Sequence, residues 1–394
     1  MLENCRWLLY ASRVYGCHPH TIREDDSTPA TAATRFRPLM LYSVVACGVY
    51  CAAAYHASSL LECVSAGAMI VGCAVQQVDR YTRSLFMILT TVLSCLCHLD
   101  FERAVASARK FDDLTRHYRR RADVNSGPPV NRRVQWLVLF GVHLVWALYG
   151  VHVRYAMDDK IGWHTIAIMS FMRAAFSTEV AKFCFLYDAL RRRFRLVNQL
   201  CCGSSDAATS SSHQRVTVST DKRCSNYHVR RVTVGVNAPE ELTILHLQRL
   251  HRCLTDATKY LSSHYSPQLL CWLACLLMDI LMYIFFAVYT VNRARTVILQ
   301  CVILVYLSVQ IIAASRVCHL TCDQANALAR IVLSMGTSAF RRNEFFTEAI
   351  ELGVYLRIQP LRIRVFGLFN MDNRFPFSVF GVILMYVILA SSLH

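Results

Sequence analysis

Four ionisable side chains sit inside stretches that otherwise carry almost no charge. Arg173, Glu179 and Lys182 lie in "WHTIAIMSFMRAAFSTEVAKFCFLY" (163–187), and Asp279 lies in "SPQLLCWLACLLMDILMYIFFAVY" (266–289). A charge held at bilayer depth costs about 2.5–3.5 kcal/mol on insertion scales, so it faces a partner or a wet cavity. Glu179 and Lys182 stand at i and i+3, a spacing at which two helical side chains meet. Arg173 and Asp279 have no local partner. They can form a bridge between two helices, or supply the polar groups of a ligand cavity. Both readings stay open at this stage.

Aromatic and polar residues gather around these charges: Trp146, Tyr149 and His152, then Trp163, His164 and Phe171, then Tyr283 and Phe286, with Gln300 on a further stretch. Part of this set belongs to the interfacial aromatic belt of a membrane protein. The part that points inward suits a small-molecule pocket between helices, with apolar walls and a few polar groups. "CHLTC" places Cys318 and Cys322 one turn apart, but no second ligand pair has the spacing zinc requires, so no metal site is expected. No phosphate loop, Gly-x-Ser-x-Gly elbow or His-Glu-x-x-His occurs, and nothing supports enzymatic activity or a cofactor.

The elements that must position these residues follow from hydropathy. Apolar residues make up 55% of the 394 and charged residues only 17%, a balance expected of several uncharged spans. Seven stretches are long enough, or nearly so, to cross a bilayer: 39–61, 84–99, 134–153, 163–187, 267–290, 297–315 and 375–393. Residues 63–83 read as a turn, an interfacial stretch and the outer start of the second helix. No signal peptide precedes the first span. Many of the 18 cysteines sit within apolar runs, where a thiol acts as a small hydrophobe, so few or no structural disulfides are expected.

The net charge of +16 raises the question of nucleic acid, but its distribution answers it. Segments 1–38, 100–133, 188–266 and 316–374 hold 34 of the 42 Lys and Arg, whereas the alternate connections hold six. By the positive-inside rule the N-terminus is cytoplasmic and the C-terminus extracellular. This excludes a G-protein-coupled receptor, which has the opposite orientation, and no nucleic-acid partner is expected. The fold class is therefore an all-α integral membrane protein of seven transmembrane helices, with a cytoplasmic helical layer. We expect a cytoplasmic N-terminus (1–38), a six-helix bundle (39–315) and a cytoplasmic anchor region (316–374), followed by a seventh helix (375–394). Within the 188–266 loop, residues 201–241 are rich in Ser and Thr and lack a helical period, which predicts a disordered insert. Residues 242–266 and 317–365 show helical periodicity, as extensions of the fifth and sixth spans plus a separate helix.

The segment "VFGLFNMDNRFPFSVFGVILMYVILASSLH" resembles the C-terminal signature of insect gustatory receptors. In that family Gly-Leu-Phe, an acidic and a basic residue lead into the seventh helix, which closes with Thr-Tyr, five apolar residues and Gln-Phe. Gly367, Leu368, Phe369, Asp372, Arg374 and Tyr386 match; Met385, Ser392 and Leu393 stand where the family has Thr, Gln and Phe. "LHRCLTDATKYLSSHYSPQLL" (250–270) resembles the family's entry into its fifth span.

The resemblance implies a tetrameric, ligand-gated, non-selective cation channel in the plasma membrane of sensory neurons. Its partners would be a small-molecule tastant, cations, the lipid bilayer, and either copies of itself or other gustatory receptor subunits. By the same carry-over the seventh helices line the pore, with Tyr386, Ser391, Ser392 and Leu393 at the pore and gate. Gly367, Phe369, Asp372 and Arg374 would belong to the subunit anchor, and the ligand pocket would lie in the outer half of each bundle. The departures at the tip keep a second reading open, a non-conducting subunit that needs a partner chain for its pore.

Overall fold

The computed structural model describes residues 5–18, 30–59, 70–122, 132–156, 163–210, 244–289, 294–338 and 343–392. Ten helices and one small hairpin follow in chain order: α1 (Arg6–Val14), α2 (Ala30–Ser59), α3 (Ile70–Leu96), α4 (His98–Ala122), α5 (Arg132–Ala156), α6 (Trp163–Ser210), α7 (Ile244–Tyr289), α8 (Ala294–Ser338), α9 (Asn343–Ile358), β1 (Arg364–Val365), β2 (Phe369–Asn370) and α10 (Phe375–Ser392). Each expected span falls in a helix, apart from residues at its ends. Stretches long and apolar enough to cross a membrane unaided occur in α5, α7 and α8 among the described residues. The bent pair α3–α4 makes a fourth, while α2 and α10 carry shorter apolar stretches.

The helices α6, α7 and α8 extend well beyond a bilayer's thickness. A helix rises about 1.5 Å per residue, so spans of 48, 46 and 45 residues have half their length left over. Their basic ends pack with α4 and α9 into one layer. Phe101, Ala104, Ala108 and Phe111 recur at helical spacing on α4 and are buried, as are Leu250, Leu254, Ala257 and Leu261 on α7, the helix α4 packs against. A bidentate pair fastens α6 to α4: Arg193 donates from Nε to Asp112 Oδ1 at 3.0 Å and from Nη2 to Oδ2 at 2.6 Å. Asn198 donates to the Gln324 carbonyl of α8 at 2.9 Å, and His251 Nε2 meets the Ala325 carbonyl at 3.1 Å.

The second span ends earlier than hydropathy suggests. The chain turns by 60° between α3 and α4. The Cys97 carbonyl at the bend lies 2.9 Å from His264 Nδ1 of α7, so a group loosened from the helical ladder is satisfied across the interface. The expected insert also differs at its start, since α6 remains helical through Ser210 and buries Cys201. Residues 211–243 lie outside the described residues.

The N-terminal segment is not simply an appendage to the first span. Leu8, Leu9 and Ser12 are buried, and α1 packs on α6. Gly16 lies at φ 74°, and a Cβ there would meet that of Ala46 at 2.6 Å, so the turn out of α1 rests directly on α2. Tyr50 donates to the Tyr15 carbonyl at 2.8 Å, and the Tyr15 hydroxyl is hydrogen-bonded to His143 of α5.

Entry to α10 is built from the signature residues. Val365 pairs with Phe369, and the turn between them places Phe366 at φ 50° and Gly367 at φ 73°. The Leu368 N–H donates to the Val365 carbonyl at 2.9 Å and closes a turn whose two central residues, Phe366 and Gly367, both have the positive φ of a type I′ turn, which explains the glycine. Phe369 then stacks on Phe375 at 4.8 Å, and Asp372 Oδ1 accepts from the backbone N–H groups of Arg374 (2.9 Å) and Phe375 (3.2 Å). Asp372 thus caps the last helix. We expect Asp372→Ala to loosen the first turn by about 1 kcal/mol, and Asp372→Asn by less. Hydrogen exchange at Arg374 and Phe375 measures the difference.

Candidate functional site: a caged arginine between four helices

The buried charges occupy two levels on α6. The lower is the Glu179–Lys182 pair predicted from spacing, at 0% and 1% exposure, with the ammonium bonded to the carboxylate. Lys182 also donates to Ser12 Oγ at 2.9 Å, and its ammonium lies 5.9 Å from the Tyr265 ring. So α1 and α7 complete a charge pair that α6 alone leaves half-solvated.

The upper level is assembled from one helical pair on each of four helices: Trp146 and Tyr149 on α5, Arg173 and Ser177 on α6, Asp279 and Tyr283 on α7, Tyr306 and Gln310 on α8. The spacings of three or four put both members on one face. Gly150 allows α5 and α6 to approach, since a Cβ there would meet Ser170 Oγ at 2.6 Å and Ile166 Cγ2 at 2.7 Å.

The Arg173 guanidinium lies 4.3 Å from the Tyr149 ring centroid, 5.1 Å from that of Trp146 and 6.0 Å from that of Tyr283, and Nη1 donates to the Tyr283 hydroxyl at 2.8 Å. A desolvated cation over an aromatic face gains about 2 kcal/mol, comparable with its insertion cost. The rings brace one another edge to face, Tyr149 on Tyr283 at 6.0 Å and Trp146 on Tyr149 at 5.8 Å.

Ser177 is the hub below. It accepts from Trp146 Nε1 and from Gln310 Nε2, each at 3.1 Å. Arg173 and Asp279 line one cavity with Phe86, Trp146, Met172 and Leu307, and its space of ≈ 10 Å³ suits about one water.

Of the residues expected to line a pocket, Trp146, Tyr149, Arg173, Asp279 and Tyr283 come together here. Trp163 and His164 are exposed, and Phe171 turns away to meet Tyr15 at 4.8 Å. Gln300 is half-buried on α8, while the side chains of His152 and Phe286 lie outside the described residues. Sequence reasoning missed Ser177, Tyr306 and Gln310. Helical spacing from Arg173 would have found Ser177.

At the other candidate site, α10 leans on α7 and α8 through Val379, Ile383 and Val387, while Phe377, Leu384, Met385, Ile388 and Leu389 are more than half exposed. Tyr386 is partly exposed. Ser391 and Ser392 end the helix with side chains outside the described set, and Leu393 lies beyond it.

A bundle of long apolar helices, with ionisable side chains buried around a small cavity lined from five of them, is a polytopic membrane protein. The sequence matches the profile of the 7tm chemosensory receptor family over residues 5–389, and the chain belongs to that family. Its fold is similar to that of the insect olfactory receptor OR5 from Machilis hrabei. The TM-score is 0.57, at 14% identity for one structure and 13% for the complex with eugenol, each comparison covering 99% of this chain and 97% of the other. No curated protein matches the sequence.

Proposed function

We propose that this chain is a gustatory receptor, a chemosensory ligand-gated cation channel opened by a small-molecule tastant bound around Arg173. The observation that carries the reading is α10, an apolar helix that packs through one stripe and, among the described residues, leaves Phe377, Val382, Leu384 and Met385 more than half exposed. A lone helix of this kind needs cover, and copies of the chain around a central pore supply it along with lipid. Family membership and the signature leading into α10 support the same reading. The assembly is a tetramer in the plasma membrane of sensory neurons, held at its basic layer, where Gly367, Phe369, Asp372 and Arg374 set the angle of α10.

Recording cation current from cells expressing this chain alone, with a panel of candidate tastants, tests the reading. Ligand-evoked current is expected. The altered tip residues Met385, Ser392 and Leu393 favour one alternative, a modulatory subunit that passes current only with a partner receptor. Silence alone and current on co-expression would establish that alternative.

Orientation is tested separately. An antibody should reach an N-terminal tag only after permeabilisation, and a tag following His394 on intact cells. Labelling of the N-terminal tag on intact cells would overturn the topology.

A further inference from the structure

We propose that the Arg173 cage is a site for organic cations, planar guanidinium or compact quaternary ammonium groups, and that the Arg173 side chain is its resident occupant. This rests on the reading above, in which the cavity around Arg173 receives the ligand. Trp146, Tyr149 and Tyr283 surround a single guanidinium carbon at 5.1, 4.3 and 6.0 Å. Ring faces carry negative potential, so the enclosure favours a cation and disfavours an anion. Asp279, one turn before Tyr283 on α7, lines the same cavity and adds a formal negative charge.

Space decides how a ligand enters. With Arg173 in place the cavity holds about one water, so anything larger must displace a side chain. Arg173 is the one cation among the described residues that line it. Exchanging it for another cation keeps a positive charge in the cavity that Asp279 also lines, whereas a neutral or anionic ligand in its place removes that charge. The displaced arginine has a long stem with which to swing away along the bundle. A tethered side chain also competes at high effective concentration, which weakens the apparent affinity of any free cation.

Thermal unfolding of the purified full chain in detergent tests this, with millimolar guanidinium chloride or tetramethylammonium chloride against sodium chloride. Arg173→Ala empties the cage. Guanidinium should raise its Tm by about 2–4 °C over sodium, with an apparent affinity about tenfold or more above that of wild type. The double variant Arg173→Ala/Asp279→Asn should lose that response. No shift in Arg173→Ala, or equal shifts in all three proteins, would overturn the cation site. If Arg173→Ala fails to accumulate, Arg173→Gln replaces it, and guanidinium in the culture should raise the surface level of either variant. Absence of that rescue in both also overturns the proposal. Gating is read apart from binding. A variant that binds guanidinium yet stays electrically silent, both alone and with a partner receptor, keeps the cation site and refutes gating through it. Intact currents from neutral tastants without guanidinium binding refute the cation site alone.

Discussion

Lys182→Met should abolish most surface expression, and the double change Glu179→Leu/Lys182→Met should restore much of it. Both side chains are buried and bonded to each other, with Ser12 of α1 as a further partner of the ammonium. Removing one member leaves an unpaired carboxylate that is fully buried, at a cost of about 3–5 kcal/mol. Folded proteins are stable by about 5–15 kcal/mol, so that loss is a large part of the whole. Replacing both charges with apolar groups of similar volume removes the penalty, because the pair's mutual attraction is largely cancelled by its desolvation. Ser12→Ala should cost far less, since it removes one hydrogen bond and leaves the ion pair in place. Surface biotinylation and the Tm of the purified chain measure all three variants. A double variant no better than Lys182→Met would mean that the pair does more than neutralise itself.

Leu393→Ala should raise ligand-independent current, and Leu393→Phe should lower it. In the proposed tetramer four copies of this residue meet at the extracellular end of α10 and close the pore by excluding water. Trimming an apolar ring lets it wet. A destabilisation of the closed state by about 1.4 kcal/mol multiplies the open-to-closed ratio about tenfold. Phe fills the constriction and acts in the opposite direction. Ser392→Ala should change conductance or ion preference more than ligand sensitivity, because in the proposed tetramer its hydroxyl would face ions. A helix that merely lies in lipid predicts none of these effects, since Ala, Leu and Phe are all tolerated in hydrocarbon. Unchanged basal current and ion preference, in channels shown to reach the surface and respond to ligand, would remove the pore role from this tip.

Much of this architecture was legible without coordinates, for a physical reason. Membrane spans are set by local quantities, a run of apolar residues and the side on which Lys and Arg collect, and neither depends on distant contacts. Each of the seven stretches accordingly falls in a helix, apart from residues at its ends, and many Lys and Arg of the basic segments lie on α4 and on the ends of α6, α7 and α8. The Glu179–Lys182 pair was equally accessible, because a spacing of three on a helix fixes its geometry. The cap at Asp372 and the turn at Gly367 are also local, and both stand at the entry to α10.

What folding decided is which side chains meet across helices. Arg173 is 27 residues after Trp146 and 110 before Tyr283, and no periodicity reports that rings from α5 and α7 close on one guanidinium. Hydropathy placed Trp163, His164 and Phe171 on the same helix as Arg173, but only the rotation of α6 turns Arg173 inward and leaves those three outside its cage. The burial of α1 against α6 was invisible for a like reason: nine residues are too few to read as a span, and their value lies in Ser12 reaching Lys182. The sequence by itself determined which apolar stretches form helices and which charges those helices must hide. The tertiary structure determined how each charge is hidden, because packing angles and helix rotations come from side chains fitting across interfaces, which no single stretch contains.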